Sequence, residues 1–213
     1  MANIVRVNFG DFVVFVNVFT SNAGALLAHN HDDLLSYVIY DKGHEILVDP
    51  GMPCYLKPNH FPYGCRHNGV WSAQSMLRPV ARFFTPREFF ANAIELDLKH
   101  DASCFYAVAR NKYTKHERKL KIEGDALGIR VHEIYIPKPN KGNIGFTHCF
   151  ADNTFAQVGA RSVEFAGLKF EYSSQIVAAA SDRVLAYGEP RRAHQINAQV
   201  ANSEITWTMC RAG

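Results

Sequence analysis

The residues able to do chemistry are concentrated in the first third of the chain. His29 and His31 stand two apart in Ala28-His29-Asn30-His31-Asp32-Asp33, Asp49 opens Asp49-Pro50-Gly51, and His67 lies in Arg66-His67-Asn68. On an extended chain residues i and i+2 point to one side, so His29 and His31 can offer two imidazoles to one small volume. Two neighbouring imidazoles favour a divalent metal. His31, Asp49 and His67 together supply two nitrogens and one oxygen, a donor set that suits Zn²⁺ and leaves a place for water. Asp32 and Asp33 read either as solvated loop charges or as carboxylates that hydrogen-bond the imidazoles from outside. Asp-Pro-Gly alone is an ordinary turn sequence, and only its company makes Asp49 a candidate ligand. Taken singly, His44, His100, His116, His132, His148 and His194 read as satisfied or half-exposed residues.

These residues need elements that return the chain to one place. Between His31 and Asp49 lie a strand-like run, Leu34 to Tyr40, a turn at Asp41-Lys42-Gly43, and a second run, Glu45 to Val48. A hairpin of that size brings Asp49 back beside His31. Residues 49 to 70, rich in Pro, Gly, His and Tyr, form the one long loop candidate, and long loops in compact domains tend to be functional. Further strand-like runs are Phe12 to Val18, Ala93 to Leu98, Cys104 to Arg110, His116 to Ile122, Leu127 to Ile136, Gly145 to Phe150, Ser162 to Phe165, Leu168 to Tyr172, Arg183 to Tyr187 and Glu204 to Met209. Lys119 to Glu123 and Leu168 to Tyr172 alternate apolar with polar residues, which implies one wet face per sheet. Only Pro86 to Asn92 reads as helical, with Thr85 as cap and Pro86 in the first position. Turn sequences between the runs suggest an antiparallel meander or stacked sheets, so the expected fold is all-β with at most one or two short helices, residues 1–213 forming a single domain.

Composition bounds the function. The chain has 213 residues, of which 47% are hydrophobic and 12% aromatic, enough to bury a large core. Twenty-three Lys and Arg against 20 Asp and Glu give a formal +3, too little to argue for nucleic acid but compatible with an anionic polysaccharide. Arg66, Arg78, Arg82 and Arg87 lie close to the histidine cluster in sequence. Five cysteines, an odd number, are not a disulfide framework. Cys54 and Cys65 can pair in an oxidising compartment, and Cys104, Cys149 and Cys210 are expected to pack as small hydrophobes. Met1 to Phe19 lacks a basic region followed by a long apolar core, so no secretory leader is expected there, and no apolar stretch approaches the length of a membrane span.

The run Ala28 to Ser36, with Asp49-Pro50-Gly51, Tyr55 and Arg66-His67-Asn68, resembles the signature of the heparinase II/III-like polysaccharide lyases. That family carries a Gly-His-x-His-x-Asp-x-Leu-Ser-Phe type segment, an Asp-Pro-Gly-x-x-x-Tyr segment and an Arg-Ser-x-x-x-His-Asn segment in this order, and all three have counterparts here. The correspondence covers about residues 9 to 70. Two departures stand out: Ala28 replaces the usual Gly, and Gly69-Val70-Trp71 follows His-Asn in place of the usual small-residue and Val continuation. The interval from Asp49 to His67 is short for the family, which makes His60 an alternative third ligand.

The resemblance implies that the fold is a large antiparallel stacked β-sandwich (a supersandwich), the C-terminal part of a longer two-part enzyme whose N-terminal helical toroid lies outside this chain. It implies β-elimination on a uronic-acid-containing polysaccharide, with His29 as the catalytic histidine facing the cleft. It further implies that His31, Asp49 and His67 bind the metal, that Tyr55 and Tyr63 contact sugar, and that Arg66 meets an anionic group. A periplasmic or extracellular setting follows from the resemblance alone. Two other readings stand beside it. One is a non-catalytic, metal-stabilised carbohydrate-binding β-sandwich. The other, a cupin-type metal enzyme, needs a Glu four or five positions after the second His, where this chain has Leu35 and Ser36.

Overall fold

The computed structural model describes residues 4–18, 34–49, 67–72, 94–112, 115–136, 144–152, 156–186 and 189–212. They form sixteen strands in two sheets of antiparallel pairs, and the sole helical element among them is a single 3-10 turn, Ala201–Ser203. None of their helices is long and apolar enough to cross a membrane. The stacked all-β architecture read from alternation is therefore the one observed. The helical candidate at Pro86 to Asn92 lies outside the described residues.

The first sheet starts as a meander of β1 (Ile4–Phe9), β2 (Phe12–Asn17), β3 (Tyr37–Asp41) and β4 (His44–Leu47). It continues through β10 (Ile144–Phe150) to β15 (Glu189–Gln199) and β14 (Ile176–Ala186), and β5 (Gly69–Ser72) also pairs with β10. In the second sheet β6 (Ile94–His100), β7 (Cys104–Asn111), β8 (Glu117–Gly124) and β9 (Gly128–Ile136) form another meander. The C-terminal β16 (Glu204–Arg211) then joins β9 to β13 (Leu168–Tyr172), which is followed outward by β12 (Ser162–Phe165) and β11 (Ala156–Gly159). The turns at Lys42-Gly43 and Ala166-Gly167 have positive φ at both residues, which matches the right-handed twist of the hairpins they close.

Period-two alternation decides what each strand contributes to the space between the sheets. β2 buries Phe12, Val14 and Val16; β16 buries Ile205, Trp207 and Met209. In β8 and β9 the inward series are Arg118, Leu120, Ile122 and Ile129, Val131, Glu133, Tyr135, so a guanidinium and a carboxylate occupy positions in phase with the core. One apolar cluster joins residues of both sheets, from Phe9, Phe12 and Phe146 to Phe105, Phe170 and Trp207. At one margin, Arg211 of β16 reaches both carboxylate oxygens of Asp41 at 2.9 and 3.0 Å and lies 5.1 Å from the centre of the Phe12 ring.

Two sequence expectations change in detail. Leu34 and Leu35 do not begin a strand; both are buried in a turn, with Leu35 at φ 61°. Cys149 is buried as expected, but Cys210 is exposed and Cys104 only half-buried, because their alternation phase faces solvent. The Cys54 and Cys65 pairing lies outside the described residues.

Candidate functional site

β4 and β5 lie in line along one edge of β10, where Leu47 pairs with Phe150 and Gly69 with Thr147. Between those contacts the Cys149 peptide is served by two different groups. Its carbonyl accepts the Val48 N–H at 2.9 Å, and its N–H donates to Oδ1 of Asn68 at 2.7 Å. The Asn68 amide nitrogen in turn donates to the carbonyls of Val48 at 3.0 Å and Tyr37 at 2.9 Å. A buried side-chain amide thus stands in for a peptide group and completes the ladder where the strands break. It joins the residue before Asp49 to the residue after His67.

The consequence is that Asp49 and His67 meet, with Oδ2 2.6 Å from Nδ1. This is hydrogen-bond distance for a carboxylate and an imidazole. The His67 side chain is 16% exposed and that of Asp49 45%, so the pair lies at the solvent margin of the sheet and not in the core. Two of the three residues proposed as metal ligands are therefore adjacent. Imidazole nitrogen and carboxylate oxygen are donors that fit Zn²⁺. His29, His31 and the alternative ligand His60 lie outside the described residues, as do Tyr55, Tyr63 and Arg66. Among the described residues no group of three or more His, Cys, Asp or Glu side chains could hold a metal ion.

Beneath this pair runs a chain of buried polar groups. Tyr37 donates its hydroxyl hydrogen to Oε1 of Glu133 at 2.7 Å. Having given that hydrogen away, the Tyr37 oxygen can only accept from Nε2 of His148, 2.8 Å distant, and from the Trp207 indole N–H at 3.2 Å. His148 is then protonated on Nε2, leaving Nδ1 to accept from Tyr172 at 3.0 Å. Burial lowers the pKa of His148 well below its ordinary value, so the neutral ring this pattern requires is also the one favoured by its surroundings. Burial likewise raises Tyr37 and Tyr172 well above the ordinary phenol value, for Tyr37 with the nearby Glu133 charge as a further cause.

The other end of this chain touches the site's backbone. Oε2 of Glu133 accepts the Val70 N–H at 2.8 Å and lies 3.5 Å from Nη2 of Arg118, whose Nη1 donates to the Leu34 carbonyl at 2.5 Å. Gly69, at φ +111°, fits here because a Cβ would run into the Arg118 guanidinium and the Glu133 carboxylate. On the other side of β5, Trp71 covers Gly145 and donates to Oγ1 of Thr147 at 2.9 Å. Sequence reading missed Arg118, Glu133 and His148 as contributors. The available signal was phase: each stands where its strand's alternation demands an apolar residue.

Comparison with known proteins agrees with this architecture. The family model described as Heparinase II/III-like, C-terminal, matches residues 2–208. Among solved structures, a heparinase III aligns with a TM-score of 0.68 at 14% identity, covering 98% of this chain and 35% of that one. The heparan sulfate lyase HepC from Pedobacter heparinus aligns with a TM-score of 0.62 at 12% identity, covering 95% of this chain and 33% of that one. The chain thus spans about a third of the length of the solved structures it matches. No curated protein matches it.

Proposed function

The chain belongs to the heparinase II/III-like C-terminal domain family, and from that premise we propose that it is the β-sandwich portion of a lyase acting on uronic-acid-containing polysaccharide by β-elimination. The observation that carries the proposal is the contact of Asp49 with His67 at the margin of a sheet whose fold matches structures named heparinase III and heparan sulfate lyase. In such a reaction a base takes the proton beside the uronate carboxyl group. The glycosidic oxygen then leaves with its bonding electrons, and an unsaturated sugar remains. The proton is weakly acidic, so the negative charge that develops on the carboxyl group must be stabilised in the transition state.

We assign His29 to the carboxylate or to the proton, Tyr55 and Tyr63 to sugar contact, and Arg66 to an anionic substituent. His31, Asp49 and His67, with His60 as the alternative third ligand, would hold a divalent metal of the Zn²⁺ type. When bound, that ion holds the histidine segments together and organises the cleft wall. The partner we propose for this chain is an N-terminal helical toroid that supplies the opposite wall and further substrate contacts. No role for nucleic acid enters this reading.

A second reading, a metal-stabilised carbohydrate-binding sandwich without turnover, draws support from the share of the neighbours' length that the chain spans. One experiment separates the two. The chain is incubated with uronate polymers, alone and joined to a helical N-terminal portion, while the ultraviolet absorbance of unsaturated ends is followed. We expect turnover only in the joined form, lost in His29→Ala. Robust turnover by the chain alone excludes the accessory reading, and none in either form excludes the lyase.

A further inference from the structure

Arg118 and Glu133 form a buried pair that an all-apolar core would not require. Their side chains are 6% and 0% exposed, and their charged atoms lie 3.5 Å apart. Withdrawing two charges from water costs several kcal/mol per ion by general estimates, and apolar residues of similar volume are often as stable or more so. What this pair does is specific to the opposite sheet. Arg118 donates to the carbonyl of Leu34, three residues after His31, and Glu133 accepts the N–H of Val70, three residues after His67. Both anchor points therefore lie immediately downstream of the site's histidine segments. Gly69, between Val70 and the site, packs so closely on the pair that no side chain fits.

We propose that Arg118 and Glu133 are positioning residues: a pair on the second sheet that sets the placement of the His67 segment against Asp49 in the first. The proposal rests on the reading of Asp49 and His67 as working residues. β5 is short, paired to β10 on one edge, and on its other side its Val70 N–H is taken by a side chain. Glu133→Gln turns one of the two acceptor oxygens into an N–H donor and removes the charge facing Arg118, so the Tyr37 hydroxyl and the Val70 N–H can no longer both be accepted as they are, and the strand relieves that by moving. His67, three residues away, moves with it. The Tyr172 hydroxyl on His148 reaches the site only through His148, Tyr37 and Glu133 in series, so its loss leaves the Val70 N–H bonded to Glu133.

The test compares Glu133→Gln with Tyr172→Phe in the full chain. Three quantities are read: thermal stability, affinity for Zn²⁺ alone, and the downfield ring N–H resonance of His67 in the metal-free protein. Both variants should lose stability. Only Glu133→Gln should shift or broaden the His67 resonance and weaken Zn²⁺ binding, by about tenfold to hundredfold, as removal of outer partners of metal ligands commonly does. Equal Zn²⁺ affinity and an unchanged His67 resonance in folded Glu133→Gln overturn the proposal. If Glu133→Gln does not fold, hydrogen exchange in the unmodified chain decides. The Val70 amide should open only with global unfolding, and exchange as fast as an exposed edge overturns the proposal. Should the unmodified chain bind Zn²⁺ no better than His67→Ala, the metal reading falls, and the His67 resonance alone judges the positioning role.

Discussion

The hydroxyl of Tyr37 lies 2.8 Å from Nε2 of His148, with both side chains enclosed between the two sheets. Because Tyr37 gives its own hydrogen to Glu133, this contact fixes the ring as neutral and as donor. A proton added to His148 at Nδ1 finds an acceptor only if the Tyr172 hydroxyl turns its own hydrogen away from the ring.

That arrangement makes stability depend on pH at both ends. The folded-state pKa of His148 lies well below its ordinary value of 6.5, so below that value the unfolded chain binds the extra proton and the folded one does not. Stability is full above pH 6.5 from this group and declines as pH falls from there through the folded pKa. Tyr37 and Tyr172 act in the opposite direction: their raised values keep them protonated when folded, and stability declines as pH climbs past the ordinary phenol value of 10.0. Denaturant unfolding measured across pH should show both limbs, and His148→Gln should flatten the acid one.

Asn68→Ala should be among the most damaging single changes near the site. It removes one acceptor and two donors, leaving the Cys149 N–H and the Val48 and Tyr37 carbonyls without this partner in a dry environment. Unpaired buried groups cost about 1–3 kcal/mol each before relaxation, so a total loss of roughly 2–4 kcal/mol is expected. Chemical denaturation measures it, and a loss below about 1 kcal/mol would show that the amide does not complete the ladder.

Gly69→Ala tests the close approach of β5 to the second sheet. The backbone there has φ +111°, a region that alanine adopts only under strain, and its methyl group would displace Arg118 and Glu133. A loss of at least about 1–3 kcal/mol is expected, of the size typical for strained backbone positions. Gly43→Ala is the matching control. It also has positive φ, at +82°, but nothing lies within 4 Å of an added Cβ, so it should cost less in the same thermal unfolding assay.

Metal linkage gives a fourth prediction. A ligand that binds only the folded state stabilises it by about 2.7 kcal/mol at a hundred times its dissociation constant, so Zn²⁺ should raise the melting temperature and a chelator should reverse the rise. Asp49→Ala and His67→Ala should each abolish the shift. His31→Ala should do so if His31 completes the set, and His60→Ala if His60 does. A Zn²⁺-dependent shift that survives both Asp49→Ala and His67→Ala would remove the proposed donor set.

Much of the fold was legible from alternation, because strands with one wet face write their burial into the chain. The runs read for β2, β8, β9, β13 and β16 lie close to the observed strands for that reason. Of β14 only the part from Arg183 onward reads as a strand, and β15 does not. Ile176–Ala186 and Glu189–Gln199 are rich in alanine and in charged or amide residues, and they are strands because they pair with each other and with β10, a long-range cause that no local window contains. β5 overlaps the end of the long loop candidate and extends two residues past it, and its four residues carry no visible period. At the site, residue type and order pointed to Asp49 and His67, which do meet. The amide that brings them together and the ion pair beneath were not legible. Their roles depend on register between strands as much as 96 residues apart, as for Tyr37 and Glu133.

The tandem seating of β4 and β5 along β10 has a bearing on how this protein can change. Each is tied to β10 by its own bonds, so the connection from Asp49 to His67 starts and ends beside an anchored strand. Lengthening such a connection costs only a logarithmic closure entropy, about 0.6 kcal/mol per doubling. That interval carries Tyr55, His60, Tyr63 and Arg66. On the proposed reading, in which Tyr55 and Tyr63 contact sugar, an insertion there is expected to change which sugars bind while the strand anchors beside Asp49 and His67 stay as they are.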